Sequence, residues 1–354
     1  MGALAGFMIL SFYAVIAGWA FAYLIEIASG SFVGANADYA ADSFSELVSN
    51  PWAVSGWHSV FMALTILIAA RGVSKGLELT VKYLMPTLFF LLVALVLWAA
   101  VTSGHFLEGI AFMFSFKADA FSGDALLLAM GQAFFTLSLG MGALMAYGAY
   151  LPRSAPIVGS AVTIALLDTC VALLSGMVIF PIVFANGLES SAGPGLMFIT
   201  LPLAFGQMLG GQLFGSLFFL LVSFAAITSA ISLVEPAVAW LVEKMKITRV
   251  KAAITVGGFA WFLGLGSAFS FNIMSDFTLL PGKTFFDTMD YVSNNIILPV
   301  GGVLIAAFTG WFLKKSILDN ELGDISENLK FILMLLIKFV APLGVLTVFL
   351  MSFV

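Results

Sequence analysis

A long apolar segment at residues 132–148 contains four residues that could form an ion site. In QAFFTLSLGMGALMAYG, Thr136 and Ser138 supply hydroxyl oxygens, while Gly140 and Gly142 can leave helical geometry. Unwound backbone at membrane depth is tolerated only where it lines a cavity or is buried in protein. Freed carbonyls and hydroxyls suit Na⁺, and a half-helix N-terminus favours an anionic group. A glycine face that packs against another helix explains the same pattern, so both readings stay open.

Carboxylates inside apolar segments are the second chemical signal, because a charge at membrane depth is costly. Asp168 has no basic residue near the same depth, so a bound cation is its simplest partner. Glu235 precedes Pro236 and is either functional or bonded to backbone that a kink frees. Asp287 and Asp290 lie near the outer end of a later apolar segment, where a structural carboxylate is the alternative.

The remaining polar residues carry weaker signals. Thr228 and Ser229 lie mid-segment, and such hydroxyls often bond the carbonyl one turn earlier in their own helix. Because Cys170 is the single cysteine, no intrachain disulfide can form, and we expect Cys170 to be a small buried residue. Two histidines and one cysteine make no convincing metal cluster, and the common enzyme motifs are absent, so we expect no enzyme.

Composition defines the class of protein that must position these residues. The chain is 62% hydrophobic and 9% charged, whereas soluble domains carry roughly 25% charged residues. Its apolar blocks reach the roughly 20 residues needed to cross a bilayer, so we predict an all-α polytopic membrane protein. The predicted spans are 3–26, 54–71, 82–103, 125–149, 156–185, 209–241, 251–272, 291–313 and 329–352.

The basic residues separate the loops into two sets. Two basic residues, Lys117 and Lys283, fall in one set, and eleven fall in the other. Those eleven are Arg71, Lys75, Lys82, Arg153, Lys244, Lys246, Arg249, Lys251, Lys314, Lys315 and Lys330. The positive-inside rule makes the second set cytoplasmic. We therefore predict a plasma-membrane protein with a cytoplasmic N-terminus and an extracellular C-terminus.

The loops complete a single transmembrane domain over residues 1–354. Residues 27–53 are predicted to form an extracellular loop, and residues 314–328 a cytoplasmic one. Residues 186–207 contain an apolar run that is too short to span, which favours a capping loop or helix outside the membrane.

Five segments, in chain order, resemble the neurotransmitter:sodium symporter family. GQAFFTLSLGMGALMAYGAYLP at 131–152 is similar to its sixth transmembrane segment. The other four are LSFYAVIAGWAFAYL (third span), GPGLMFITLPLAF (fourth extracellular loop), SFAAITSAISLVEP (eighth span) and FFDTMDYV (start of the tenth). The resemblance implies part of an inverted-repeat (5+5) transporter fold, with about nine helices equivalent to spans 3–11. We expect the family's first two spans to be missing.

The resemblance also implies roles for individual residues. Thr136 and Asp168 would bind one sodium ion, and the Ala225 carbonyl with the Thr228 and Ser229 hydroxyls a second. Both sites would be incomplete, because the missing first span supplies further ligands. Tyr13 would bond the substrate carboxylate, Phe135 would close over the substrate, and Thr136 would also adjoin it. The side-chain pocket would be lined by Ile9, Ser138, Met141 and Leu233.

Two further expectations concern charge. Asp290 would be the acidic half of an outer gate whose arginine partner lies in the missing spans. Many relatives have Asn where this chain has Asp168, and the chloride-dependent ones use a Ser one turn later, where Ala172 stands here. A fixed carboxylate beside the sodium ion can replace the anion, so we expect no chloride requirement.

These features predict sodium-coupled symport of an amino acid or related small amine. The main alternative is a non-transporting truncated product, or a fragment that needs the missing spans. A channel or an unrelated transporter is a weaker alternative, because five ordered segments match. A homodimer in membrane lipid is compatible with the sequence, and no nucleic-acid partner is expected.

Overall fold

The computed structural model describes residues 2–72, 79–118, 121–152, 155–187, 193–323 and 325–351. Two loop charges counted above, Lys75 and Arg153, lie outside these residues. Within them, eight helices are long and apolar enough to cross a membrane. The fourth predicted span, 125–149, is not among the eight because it is interrupted near its middle.

The helices follow one another with short connections. In chain order they are α1 (Gly2–Ala28), α2 (Ala37–Ser49), α3 (Pro51–Ala70), α4 (Leu79–Thr102), α5 (Phe106–Phe114), α6 (Gly123–Thr136), α7 (Ala143–Gly148), α8 (Ile157–Ala185), α9 (Leu201–Gln207), α10 (Gly211–Met245), α11 (Arg249–Phe269), α12 (Phe285–Val292), α13 (Leu298–Ala307), α14 (Lys315–Leu322), α15 (Glu327–Leu335) and α16 (Ala341–Met351). Single π-helical turns occur at Leu196–Thr200, Ser293–Ile297, Phe308–Phe312 and Leu336–Val340. A small antiparallel hairpin pairs β1 (Thr278–Leu280) with β2 (Lys283–Thr284).

Local capping chemistry decides where several helices begin and end. The Asn50 side chain accepts bonds from the amides of Trp52 and Ala53, so α3 begins at Pro51. The eighth span was predicted to begin at 291, which is wrong by six residues. Thr284 and Asp287 form a capping box that starts the helix at Phe285.

The predicted end of the sixth span at 241 also needs correction. Helix α10 continues to Met245 and ends where Lys246 takes a left-handed conformation, with φ of 52°. Both corrected ends depend on capping residues outside the apolar blocks, which hydrophobicity alone does not detect.

Helix α1 is the centre of the core. It packs against α10, α3 and α11. A Cβ at Gly6 would stand 2.5 Å from the Leu233 carbonyl oxygen, and one at Gly18 would stand 2.9 Å from the His58 amide nitrogen. Glycine at these two positions therefore allows backbone-to-backbone approach. The buried Trp19 ring contacts Phe44, Phe198 and Phe271 edge-on. These contacts join α1 to α2, to the π-helical turn Leu196–Thr200 and to the chain just after α11.

Candidate ion and substrate site

The chain leaves helical geometry between α6 and α7, inside the fourth predicted span. Gly140 and Gly142 have φ of 82° and 79°, which glycine adopts without steric cost. Ser138 also has a positive φ, of 55°, which is uncommon for a residue with a Cβ. The polar and glycine residues of this segment thus form a break in the helix.

The same glycines also pack tightly. A Cβ at Gly140 would stand 2.5 Å from the Leu298 carbonyl oxygen on α13, and one at Gly301 would stand 2.8 Å from the Gly140 carbonyl oxygen. The sequence left a helix break and a packing face as alternatives, and the structure has both at Gly140. The break is supported by protein on the side that faces α13.

Thr136, the last residue of α6, contacts Asp168 in the middle of α8. Its Oγ1 donates a hydrogen bond of 2.8 Å to Asp168 Oδ1. Thr136 is exposed and Asp168 half-buried, so this pair of oxygens is accessible at membrane depth. Among the described residues, no three His, Cys, Asp or Glu side chains group as a metal site. A cation here would use hydroxyl, carbonyl and single carboxylate oxygens.

The other predicted ion ligands lie together on α10. The buried Thr228 hydroxyl donates 2.9 Å to the Ala225 carbonyl oxygen, which is the back-bond that hydroxyls commonly make in helices. Ser229 is exposed on the adjoining face, close to Tyr13 of α1. A predicted substrate residue thus lies next to a predicted ion ligand.

The predicted pocket residues largely share one apolar cluster. Ile9, Met141 and Leu233 are buried in it, and Tyr13 and Phe135 pack against it half-buried. Ser138 lines an adjoining cleft on the side of the break that faces α13 and α16. Side chains from α1, α6, the break and α10 therefore belong to one apolar cluster, and their role in binding substrate stays a prediction.

The residue predicted to form the outer gate, Asp290, lies on α12. Asp290 of α12 accepts a 2.7 Å hydrogen bond from Asn294 Nδ2. Asn294 and Phe135 line the same small cleft between α6 and α13. The two residues proposed as gates therefore stand on the same side of the break.

Glu235 belongs to a polar network that sequence reasoning missed. It is fully buried, and Arg249 donates to its two carboxylate oxygens at 3.0 and 2.5 Å. Tyr150 donates a 3.3 Å bond to the same carboxylate, while Arg249 Nε donates 2.9 Å to the Ala69 carbonyl of α3. The ion pair, and not backbone freed at Pro236, satisfies Glu235.

A second contact supports this network. Tyr147 of α7 shares a 2.6 Å hydrogen bond with Ser232 of α10. Two tyrosines thus connect the segment after the break to α10, Tyr147 within α7 and Tyr150 just beyond its end. Arg249 had counted only as a loop charge, although a buried acid fourteen residues earlier signals the need for a basic partner.

Comparison with known proteins places this arrangement in a family. The model of the sodium:neurotransmitter symporter family matches residues 41–354. The chain belongs to this family. The sodium-dependent transporter YhdH of Bacillus subtilis is 39% identical over 354 residues, which cover 99% of this chain and 78% of YhdH. A sodium-dependent transporter of Haemophilus influenzae is 32% identical, covering 99% of this chain and 77% of its own length.

A solved structure agrees with the sequence comparison. The crystal structure of MhsT in complex with L-phenylalanine superimposes with a TM-score of 0.90 at 42% identity, covering 99% of this chain and 80% of MhsT. The resemblance read from five segments is confirmed, as is the helical transporter fold. The protein is a multi-pass member of a sodium-dependent transporter family and not of an enzyme family.

Proposed function

We propose that this protein couples inward sodium movement to the uptake of an amino acid across the plasma membrane. The observation that carries this proposal is the contact between Thr136 and Asp168 at the end of a broken helix. It offers oxygen ligands and one negative charge, and no ion pair among the described residues neutralises that charge. Membership of a sodium symporter family supports the choice of sodium as the coupling ion.

The substrate is proposed to be an amino acid with an apolar or aromatic side chain. MhsT was solved with L-phenylalanine, and it shares 42% of its residues with this chain where the two align. The cluster of Ile9, Met141, Leu233 and Phe135 offers an apolar surface to such a side chain. Tyr13, which packs half-buried against this cluster, would bind the carboxylate group.

Sodium is proposed to bind at two places flanking this surface. Thr136 and Asp168 would contribute to the first site, and Ala225, Thr228 and Ser229 to the second. The fixed charge of Asp168 would take the place of chloride beside the ion. Each sodium ion that enters releases about 2.3 kcal/mol per 100 mV of membrane potential.

Transport would proceed by alternating access. Sodium would order the break between α6 and α7, and substrate would complete the site between α1, α6 and α10. Phe135 and Asp290 would close the outer side, with the N-terminus cytoplasmic. The ties from Tyr147 and Tyr150 to α10 would have to rearrange when the inner side opens.

The test is uptake of labelled L-phenylalanine by proteoliposomes that contain the purified chain. An inward sodium gradient should drive accumulation, and an equal potassium gradient should not. Sodium-dependent binding without accumulation would support the alternative of a chain that cannot complete transport alone. Absence of both binding and uptake for a panel of apolar amino acids would contradict the proposal.

A further inference from the structure

Lys338 occupies an unusual position between the last two membrane helices. It lies within the apolar stretch Glu327–Thr347, yet its side chain runs across the preceding helix. A Cβ at Gly310 would stand 2.9 Å from Lys338 Cγ and 3.3 Å from its Cα. The Lys338 ammonium lies 5.4 Å from the centroid of the Trp311 ring, a cation–π contact. The charge is therefore held level with the final turn of the span Phe285–Phe312.

Both helices are distorted where they meet. The π-helical turn Phe308–Phe312 contacts the π-helical turn Leu336–Val340. Such turns are rare and are frequently found at functional sites. Here they place Gly310 and Lys338 against each other, so the distortion and the close approach occur at one point.

Two further lysines follow the span that Lys338 contacts. Lys314 and Lys315 follow the end of this span and are exposed. None of the three lysines forms an ion pair with a carboxylate of the residues that the structure describes. Helix α14 carries Asp319 and Glu321, but Glu321 lines a separate cleft beside α8.

An apolar cleft opens beside the contact between the two π-helical turns. It encloses about 310 Å³ and is lined by Phe134, Leu144, Ile305, Thr309, Ile337 and Ala341, among others. Thr309 and Ile337, which line the cleft, directly precede Gly310 and Lys338 in the chain, so the cleft borders the contact between the two π-helical turns. Its volume lies at the lower end of the range for small-molecule pockets.

We propose that this is a binding site for one anionic phospholipid. The phosphate group would accept hydrogen bonds from Lys338 and face Lys314 and Lys315, and one acyl chain would occupy the cleft. A cation beside an apolar cleft, at the level where a span ends, is complementary to an anionic amphiphile. None of its lysines is assigned to the ion or substrate sites, whereas its cleft also borders the helix break at Ser138, Gly140 and Gly142.

The first test is lipid retention by the purified chain, measured by native mass spectrometry. Phosphatidylglycerol and phosphatidylcholine with identical acyl chains are supplied at equal concentration, which isolates the headgroup charge. We expect about tenfold more phosphatidylglycerol than phosphatidylcholine to remain bound. Lys338→Gln should remove this difference and Lys338→Arg should keep it. The matched control Lys251→Gln, an exposed lysine on α11, should behave like the unchanged protein.

The second test addresses the cleft. Ala341→Trp should fill it and lower phosphatidylglycerol retention about fivefold, while glycerol 3-phosphate, which has no acyl chain, should not be retained. Equal retention of the two lipids by the unchanged chain would overturn the proposal. Unchanged retention by Lys338→Gln would do so too. If Lys338→Gln lowers the melting temperature without lipid, the Arg variant still decides, because loss of selectivity in Lys338→Arg would contradict a role for charge.

Discussion

Two of the carboxylates within the membrane helices, Glu235 and Asp168, have surroundings that differ in kind. Glu235 on α10 is fully buried and bonded to Arg249, while Asp168 on α8 is half-buried and bonded to the Thr136 hydroxyl. The first charge is neutralised within the chain, and the second is not neutralised by any ion pair among the described residues. The comparison shows that the free-energy cost of placing a carboxylate at membrane depth does not by itself identify a binding site. A carboxylate whose partner is only a hydroxyl is the better candidate for an external cation.

The largest effect should come from removing the partner of Glu235. Arg249→Met leaves a buried, unpaired carboxylate, which typically costs about 3–5 kcal/mol. We expect a marked fall in melting temperature in detergent, with little purified protein recovered. Glu235→Gln combined with Arg249→Met should restore part of the loss, because the orphaned charge is gone. If the losses in free energy of unfolding of the Glu235 and Arg249 single variants simply add in the double variant, the two side chains do not stabilise each other.

The next effect should come from Asp168. Asp168→Ala removes the single negative charge at the α6–α8 contact, and we expect about a hundredfold weaker sodium affinity, equivalent to about 2.7 kcal/mol. Sodium titration of labelled phenylalanine binding measures it. Asp42→Ala on the exposed side of α2 is the control and should leave the titration unchanged. Unaltered sodium affinity in Asp168→Ala would remove this residue from the ion site.

A smaller loss is expected from its hydroxyl partner. Thr136→Val keeps the shape of the side chain but removes the oxygen that bonds Asp168, and we expect about tenfold weaker sodium affinity, near 1.4 kcal/mol. Melting temperature without sodium should change little, because Thr136 is exposed. A large loss of stability with unchanged sodium affinity would make the contact purely structural.

The ties around Glu235 should respond modestly to loss of one hydroxyl. Tyr147→Phe removes the hydrogen bond to Ser232, worth about 1 kcal/mol, from the end of α7. Its signature is a small drop in melting temperature with the sodium titration unchanged. Tyr39→Phe on α2 serves as a control. A hundredfold loss of sodium affinity in Tyr147→Phe would erase the distinction between the two regions.

No effect is expected from chloride. If Asp168 supplies the compensating negative charge, sodium-driven uptake should be the same when chloride is replaced by gluconate. Uptake by proteoliposomes in the two media makes the comparison. A collapse of uptake in gluconate would show that the carboxylate does not take the place of the anion.

Much of the fold was accessible from the sequence because membrane spans are long apolar blocks. The pairing of Thr136 with Asp168 was predicted from resemblance and is present in the structure. Helix ends were less accessible, since capping by Thr284 and Asp287 extends α12 beyond the apolar block. The ion pair of Glu235 with Arg249 was missed because charge counting assigned the arginine to a loop.

The sequence by itself determined that this chain crosses the membrane many times, where its helices lie, and which residues are polar enough to form a site. These properties depend on local composition and spacing, because a stretch of about 20 apolar residues is enough to place a helix in the bilayer. Tertiary structure decided which carboxylate is neutralised, that the glycine break both unwinds and packs on α13, and that Lys338 packs against Gly310 and Trp311. Each of these depends on residues far apart in the chain approaching within a few ångströms, a distance that no local pattern encodes.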